Sequence, residues 1–373
     1  MNTRIPVAIP DLSGNEKNYV QDALDSTWIS SSGKYLDQFE SDFAQVCGSK
    51  HCLAVSNGTV ALHLALLTLN VMPGDEVIVP SLTYVATANA VKYVGGVPVF
   101  VDVMSSDWCL SPEKIEDAIT PRTKGIIAVH LYGHPADMDS INHIAGVNGL
   151  WVVEDAAEAP FASYKGRPTG SLATIATFSF YGNKVITSGE GGAITLNEDR
   201  LALRAKTLRG QGVDPNRRYF FPITGYNFRL TNVAAAILCA QLERHVEIIE
   251  ARKRIYQLYE EKLSDVSGVH FQPVSEDVVL SPWLFCITID EDAGKTRDEV
   301  AQRLEDQDIE TRPFFIPLHL LPPFREDAHN RSADLSNTLR LSASGMNLPT
   351  YTNLSENKIE RITNTIKGFL DNA

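Results

Sequence analysis

The sequence predicts an α/β protein, with a large domain over residues 1–242 built on a mostly parallel sheet flanked by helices and a smaller α+β domain over residues 243–373. Three observations predict it. From about Lys50 to Asn197, short apolar runs alternate with helical patterns, and most of these runs lack polar alternation, as strands covered on both faces do. After Thr231 the pattern changes to helical spacing among many charges. A chain of 373 residues also exceeds one usual core, so two domains are the starting expectation.

The elements follow in chain order. Strand-length runs rich in Val, Ile or Phe occur at Cys52–Val55, Glu76–Val79, Pro98–Val101, Gly125–Val129, Leu150–Glu154, Thr177–Phe180 and Ala193–Leu196. Alternation of such runs with helices implies a parallel sheet. Leu242, Val246, Ile249, Ile255, Leu258 and Leu263 then mark one long connecting helix up to Ser264. Beyond it, Trp283–Ile289 reads as a strand, Thr296–Gln307 as an amphipathic helix, Pro313–Pro323 as a proline-punctuated loop and Glu356–Leu370 as a final helix. No internal repeat is evident.

Composition narrows the function. Apolar residues make up 44% and charged residues 21%, as in an ordinary soluble globular protein. The formal net charge of −13 argues against a phosphate-backbone partner, so no nucleic acid is expected, although a local basic pocket for a small anion stays open. Neither a secretory signal nor a run of about 18 apolar residues is visible, so no membrane association is expected. Five cysteines without paired spacing suggest neither a disulfide framework nor a metal site, and a reducing cytoplasm fits that pattern.

The chemistry is written at the ends of strands. In the stretch Thr177–Ala193 (TFSFYGNKVITSGEGGA), a strand runs into Lys184, then a glycine-rich turn, then another strand. A lysine there is either a snorkelling surface side chain or an amine held neutral by desolvation, able to form a Schiff base with an aldehyde. Glycines 189, 191 and 192 allow a tight turn beside a bound ring. Neither a Walker lysine nor a Gly-x-Gly-x-x-Gly follows a strand, which removes the phosphate-loop and dinucleotide readings. Asp155 ends the strand Leu150–Glu154, where it is either a helix cap or a carboxylate that keeps a pyridine nitrogen protonated.

Ser56-Asn57-Gly58-Thr59 opens the apolar helix Val60–Leu69 and could cradle an anion or simply cap that helix. Ser179 could add a hydroxyl to the same anion, or be a small residue packed in its strand. Tyr84, after the strand Glu76–Val79, could lie on a planar ring or pack in the core. Four strand ends thus offer an amine, a carboxylate, an anion cradle and an aromatic ring, which together describe a site for pyridoxal 5′-phosphate (PLP).

At these residues the chain resembles the PLP-dependent sugar aminotransferases of fold type I, the aspartate aminotransferase-like architecture. The motifs that carry the resemblance are Ser26–Gly33 (STWISSSG), Ser56–Thr59, Glu154–Glu158 (EDAAE), Ser179–Gly192, Gly210-Gln211-Gly212, Asn216-Arg217-Arg218-Tyr219, Gly225–Asn232 (GYNFRLTN) and Asn347-Leu348-Pro349. The resemblance implies that Lys184 is the Schiff-base lysine and general acid/base, and that Asp155 pairs with the pyridinium nitrogen. It implies that Gly58, Thr59 and Ser179 hold the cofactor phosphate, that Tyr84 stacks on the ring and that Glu158 lies near the ring hydroxyl. An acid at position 158, where relatives often have Gln or His, needs a proton or a hydrogen-bond donor opposite it.

The family likeness further implies that Asn227 reaches the phosphate of a neighbouring subunit, so that a homodimer shares its active sites. Trp28, Ser30, Arg217, Arg218, Tyr219, Arg312 and His319 are expected to line a nucleotide-sugar pocket, with the arginines offering forks to a diphosphate or remaining solvated. The implied reaction moves the amino group of glutamate, released as 2-oxoglutarate, to the C4 ketone of a nucleotide-linked 4-keto-6-deoxy sugar. GDP-4-keto-6-deoxymannose is foremost, with UDP- and dTDP-linked sugars open, and the product is destined for surface polysaccharide such as lipopolysaccharide O-antigen. Related sugar dehydratases carry histidine where Lys184 stands, which weighs against that chemistry here. A noncatalytic nucleotide-sugar binder would show damage to the constellation, and none is visible.

Overall fold

The computed structural model describes residues 4–214, 216–290, 293–329 and 333–371. Helices α1 (Glu16–Asp25) and α2 (Lys34–Val46) precede β1 (His51–Val55), α3 (Gly58–Thr68), β2 (Glu76–Pro80), α4 (Ala86–Tyr93) and β3 (Val97–Val101). Then come α5 (Pro112–Ala118), β4 (Thr123–Val129), α6 (Met138–Val147), β5 (Trp151–Asp155) and the two-residue strands β6 (Ser163–Tyr164) and β7 (Arg167–Pro168). The strands β8 (Ile175–Ser179) and β9 (Gly192–Leu196) complete the larger sheet and lead into α7 (Asp199–Arg209) and α8 (Asn232–Glu243).

The larger sheet has seven strands in the order β1-β9-β8-β5-β4-β2-β3. From β8 to β3 all neighbours are parallel, whereas β9 is antiparallel to both β8 and β1. All seven predicted strands are present, with ends shifted by at most two residues. Their unbroken apolar pattern has a direct cause: Ile78, Ile126 and Val152 point into one core with Phe39, Phe43 and Leu238, while Val77, Val79, Ile127 and Val153 point into a second with Leu64 and Leu66. Period-2 alternation is still there, but both faces are apolar.

The connecting helix is α9 (His245–Leu263), so the expected division at 242/243 falls at the end of α8. After it come β10 (Val269–Phe271), β11 (Val278–Val279), β12 (Phe285–Ile289), α10 (Arg297–Glu305), β13 (Arg312–Pro313), α11 (Arg325–His329), α12 (Ser336–Ser344), β14 (Gly345–Leu348) and α13 (Glu356–Leu370). The order β10-β12-β14-β13 forms an antiparallel sheet, and β11 pairs instead with β6. A third core joins Ile255 and Tyr259 of α9 to Phe285, Ile287, Leu348 and Ile359. A capping box between Thr296 and Glu299 starts α10, as the sequence Thr-x-x-Glu invites. Among the described residues no helix is long and apolar enough to cross a membrane.

Candidate active site

The carboxyl ends of β1, β2, β5 and β8 lie on one edge of the larger sheet, and Lys184 is brought to that edge by the reversal of β9. Ser179 pairs with Gly192 across the β8–β9 ladder, and Phe180 N–H donates to the Gly191 carbonyl at 2.8 Å, so residues 180–191 turn back without leaving the edge. Gly189 sits at φ +85°, where a side chain would be strained, which meets the expectation of a tight turn. Gly192 has another reason to lack a side chain, since a Cβ there would lie 2.5 Å from the Asn57 carbonyl oxygen at the start of α3.

The same closeness shapes the proposed anion cradle. Asn57 caps α3 by accepting the Val60 N–H at 2.9 Å, and the earlier first-turn N–H groups have no partner within the helix. A Cβ on Gly58 would stand 2.7 Å from the Ser179 Cβ and 3.0 Å from its Oγ. The bare glycine therefore lets the positive end of α3 and a hydroxyl face one small space, as a phosphate requires. Gly58→Ala is expected to crowd that space at a cost of about 1–3 kcal/mol. The check is cofactor retention during absorbance-monitored dialysis, and retention equal to the unaltered chain would contradict the crowding.

Asp155 and Glu158 are both buried beside Lys184. Asp155 accepts the Thr87 hydroxyl at 2.8 Å and the Ala157 N–H at 3.3 Å. Burial raises its pKa, opposed by those two donors and by the Lys184 charge. Glu158 accepts the Tyr132 N–H at 2.7 Å through Oε2, while its Oε1 stands 3.9 Å from the Lys184 Nζ. Burial raises Glu158 as well, with Asp155 adding and the lysine opposing. For Lys184 the direction is downward, because burial disfavours the ammonium more than the two acids favour it, and Arg312 adds to the loss. The amine is thus the desolvated one of the two alternatives, with only 11% of its side chain exposed.

The donor that Glu158 needs is therefore a backbone N–H, offered by a residue in the left-handed region: Tyr132 has φ 55° and ψ 25°. Gly133 follows at φ +94°, where a Cβ would lie 1.9 Å from the Ser281 carbonyl oxygen, and Ser281 N–H donates to the Gly133 carbonyl at 3.0 Å. This close approach carries the C-terminal part of the chain to the site. Trp283 lies there, its ring centroid 3.8 Å from the Lys184 Nζ, and its indole N–H donates to the Asn183 carbonyl at 2.8 Å.

The remaining expected residues are more dispersed. Tyr84 is 57% exposed at the mouth, with its ring 5.8 Å from that of Phe315. His319 reaches the end of β2 through a 2.7 Å contact between its Nδ1 and the Ser81 hydroxyl. Arg312 lies on β13 opposite Asn347, near enough to act on the Lys184 charge. Trp28 and Ser30 are exposed on a segment held to α8 by Asn232, which donates to the Trp28 carbonyl from Nδ2 and to the Ser30 carbonyl from its backbone N–H, while its Oδ1 accepts the Tyr35 and Leu36 N–H groups at the start of α2. Arg217, Arg218 and Tyr219 are exposed, with Arg217 over the Phe220 ring and Arg218 over the Tyr219 ring. Asn227 is exposed and accepts from Arg229. Among the described contacts, none joins Trp28, Arg217–Tyr219 or Asn227 to Lys184 or Asp155 within one chain.

Sequence reasoning missed Thr87, the Tyr132 N–H and Trp283. Thr87 stands one turn after Tyr84 and was visible in the same strand-end segment. The other two come from a strained turn and from a residue a hundred positions away in the chain, which no local pattern marks.

PLP presents an aldehyde, a phosphate and a basic ring nitrogen, and the buried amine, the bare cradle beside Ser179 and the buried Asp155 carboxylate fit those three groups. Comparison with known proteins agrees over the whole length. The chain is 49% identical over 363 residues to GDP-perosamine synthase of Caulobacter vibrioides, covering 96% of each. It is 41% identical over 369 residues to GDP-perosamine synthase of Vibrio cholerae, covering 98% of this chain and 99% of that one. The aminotransferase TlmJ from Streptoalloteichus hindustanus superposes with a TM-score of 0.92 at 29% identity, covering 99% of both chains. Residues 10–367 match the DegT/DnrJ/EryC1/StrS aminotransferase family. With that match over nearly the whole chain, the protein belongs to this PLP-dependent aminotransferase family.

Proposed function

We propose that the chain transfers the amino group of glutamate to the C4 ketone of GDP-4-keto-6-deoxy-D-mannose, giving GDP-perosamine and 2-oxoglutarate. The observation that carries the reading is a desolvated Lys184 amine beside the buried Glu158 and within the field of the buried Asp155, in a chain similar end to end to relatives bearing the name GDP-perosamine synthase. Bound PLP supplies an aldehyde with which amines condense and a ring that takes up an electron pair.

The chain's own residues do the rest. Lys184 anchors the aldehyde and, once displaced by the incoming amine, moves a proton at the donor Cα; in the second half-reaction it returns a proton to C4 of the sugar. Its depressed pKa favours the neutral form that this role needs. Asp155, braced by Thr87, holds the positive charge of the ring nitrogen. Glu158, fixed by the Tyr132 N–H through one oxygen, would offer its other oxygen to the ring hydroxyl. Gly58, Thr59 and Ser179 take the phosphate, and Tyr84 covers the ring.

Arg312 and His319 approach from the C-terminal segment and, with Trp28, Ser30 and Arg217–Tyr219, receive the nucleotide sugar. By the family likeness Asn227, exposed in a single chain, acts on the neighbouring chain's phosphate, in a cytoplasmic homodimer with shared sites. Mixing chains inactivated separately by Lys184→Ala and by Asn227→Ala should then restore part of the turnover; no recovery would mean that each chain's site is complete by itself.

The test of the substrate is the rate of 2-oxoglutarate formation from glutamate with GDP-, UDP- and dTDP-4-keto-6-deoxyhexoses. The GDP-linked mannose derivative should be preferred, and faster turnover of a UDP- or dTDP-linked sugar would replace it as the acceptor.

A further inference from the structure

The indole that lies against Lys184 is held from two sides. Its N–H bonds to the carbonyl of Asn183, the residue before the lysine, at 2.8 Å. On the backbone side Arg252, buried in α9, donates to the Trp283 carbonyl at 2.8 Å and to the Pro282 carbonyl at 3.3 Å. Tyr132 stacks beside the indole with centroids 6.3 Å apart, and its own N–H holds Glu158. Face, edge and backbone of Trp283 are therefore all fixed, and the free end of Lys184 lies between the indole face at 3.8 Å and Glu158 at 3.9 Å. The separation from Glu158 exceeds a hydrogen bond, so the nitrogen rests with the ring face and the carboxylate as neighbours at nearly equal distances.

We propose that Trp283 is a positioning residue for Lys184, its indole face giving the protonated amine a station beside Glu158, the form it holds after taking a proton from one carbon and before returning it. The inference rests on Lys184 being the catalytic amine but not on the identity of the sugar. A ring face attracts a cation through its quadrupole, and Trp does so best of the aromatic residues. Such a station keeps the displaced amine within reach of the carbon whose proton it moves, where a free lysine side chain would explore many rotamers. The charged groups facing Lys184 are Glu158 and Asp155 from β5 and the turn after it, and Arg312 from β13. They are unchanged in the variants below.

The test uses the full chain freed of cofactor, so that it reads the amine and not turnover. The pH dependence of acylation of the peptide containing Lys184 is followed by mass spectrometry in the unaltered chain, Trp283→Leu and Trp283→Phe. Removing the face should lower the labelling midpoint of Trp283→Leu by roughly 0.4–1.5 pH units, because the cation loses a partner. Trp283→Phe, which keeps a weaker face, should fall less. A midpoint in Trp283→Leu that stays or rises would show that the indole only excludes water, and would overturn the proposal, as would equal falls in the two variants.

A second measurement does not depend on the folding of Trp283→Leu. Lys184→Met should change the tryptophan emission of the chain, and that change should vanish when both proteins carry Trp283→Phe. A change that persists belongs to another tryptophan and removes the support for the contact. Failure of the sugar assignment would leave both readouts as expected.

Discussion

Lys184→Ala is expected to lower the rate of 2-oxoglutarate formation by at least about 1,000-fold, since proton transfer by a positioned group alone contributes roughly 10²–10⁴ and the anchoring role is lost with it. The chain should stay folded. Alanine removes a desolvated amine whose described partners are a ring face and one acid 3.9 Å away, and burial, which raises Glu158, favours its neutral form once the lysine is gone. Borohydride should fix the cofactor to the peptide spanning Lys184 in the unaltered chain and to no peptide in the variant. Normal turnover in Lys184→Ala, or a tagged peptide elsewhere, would move the chemistry to another residue.

The second large effect is expected from Asp155→Asn. The amide keeps the shape of the carboxylate and an oxygen for the Thr87 hydroxyl, but it cannot hold a positive charge on the ring nitrogen. An opposite charge beside a titrating nitrogen is worth roughly 1–3 pKa units, so exchange of the donor Cα proton should slow by roughly 10- to 1,000-fold if it tracks the nitrogen's protonation. Cofactor retention should change far less, because the phosphate cradle at Gly58 and Ser179 is remote from the substitution in sequence and supplied by other strand ends. An exchange rate equal to that of the unaltered chain would separate Asp155 from the reaction.

Much of this architecture was legible because strands buried on both faces and ligand-facing strand ends leave local marks. The run Glu76–Val79 was readable as strand since Val77 and Val79 feed one core and Ile78 another. Asp155 and Lys184 stood out because each follows an apolar strand run, although a helix cap and a snorkelling side chain stayed open until the fold buried both at one sheet edge. The direction of β9 was not legible, since an apolar run of five residues carries no sign of which neighbour it pairs with. Nor was the partner of Glu158, which depends on Tyr132 adopting a left-handed conformation that its side chain does not favour. Trp283 was read as the start of a strand; β12 begins two residues later, and the indole instead serves the site because Ser281 pairs with Gly133. Long-range pairing of that kind is a property of the packed chain and has no periodic signature.

The return of the chain from β8 into β9 also determines where such a protein can be altered. Both ends of the 180–191 stretch are pinned within one ladder, where a one-residue slip of β9 between β1 and β8 would exchange its two core-facing sets of side chains, so the register is strongly held. The reach of the amine is consequently locked to the sheet's register. Under the proposed function, acceptor choice is best altered in exposed segments such as 216–221, which lie outside the ladder that leads to Lys184.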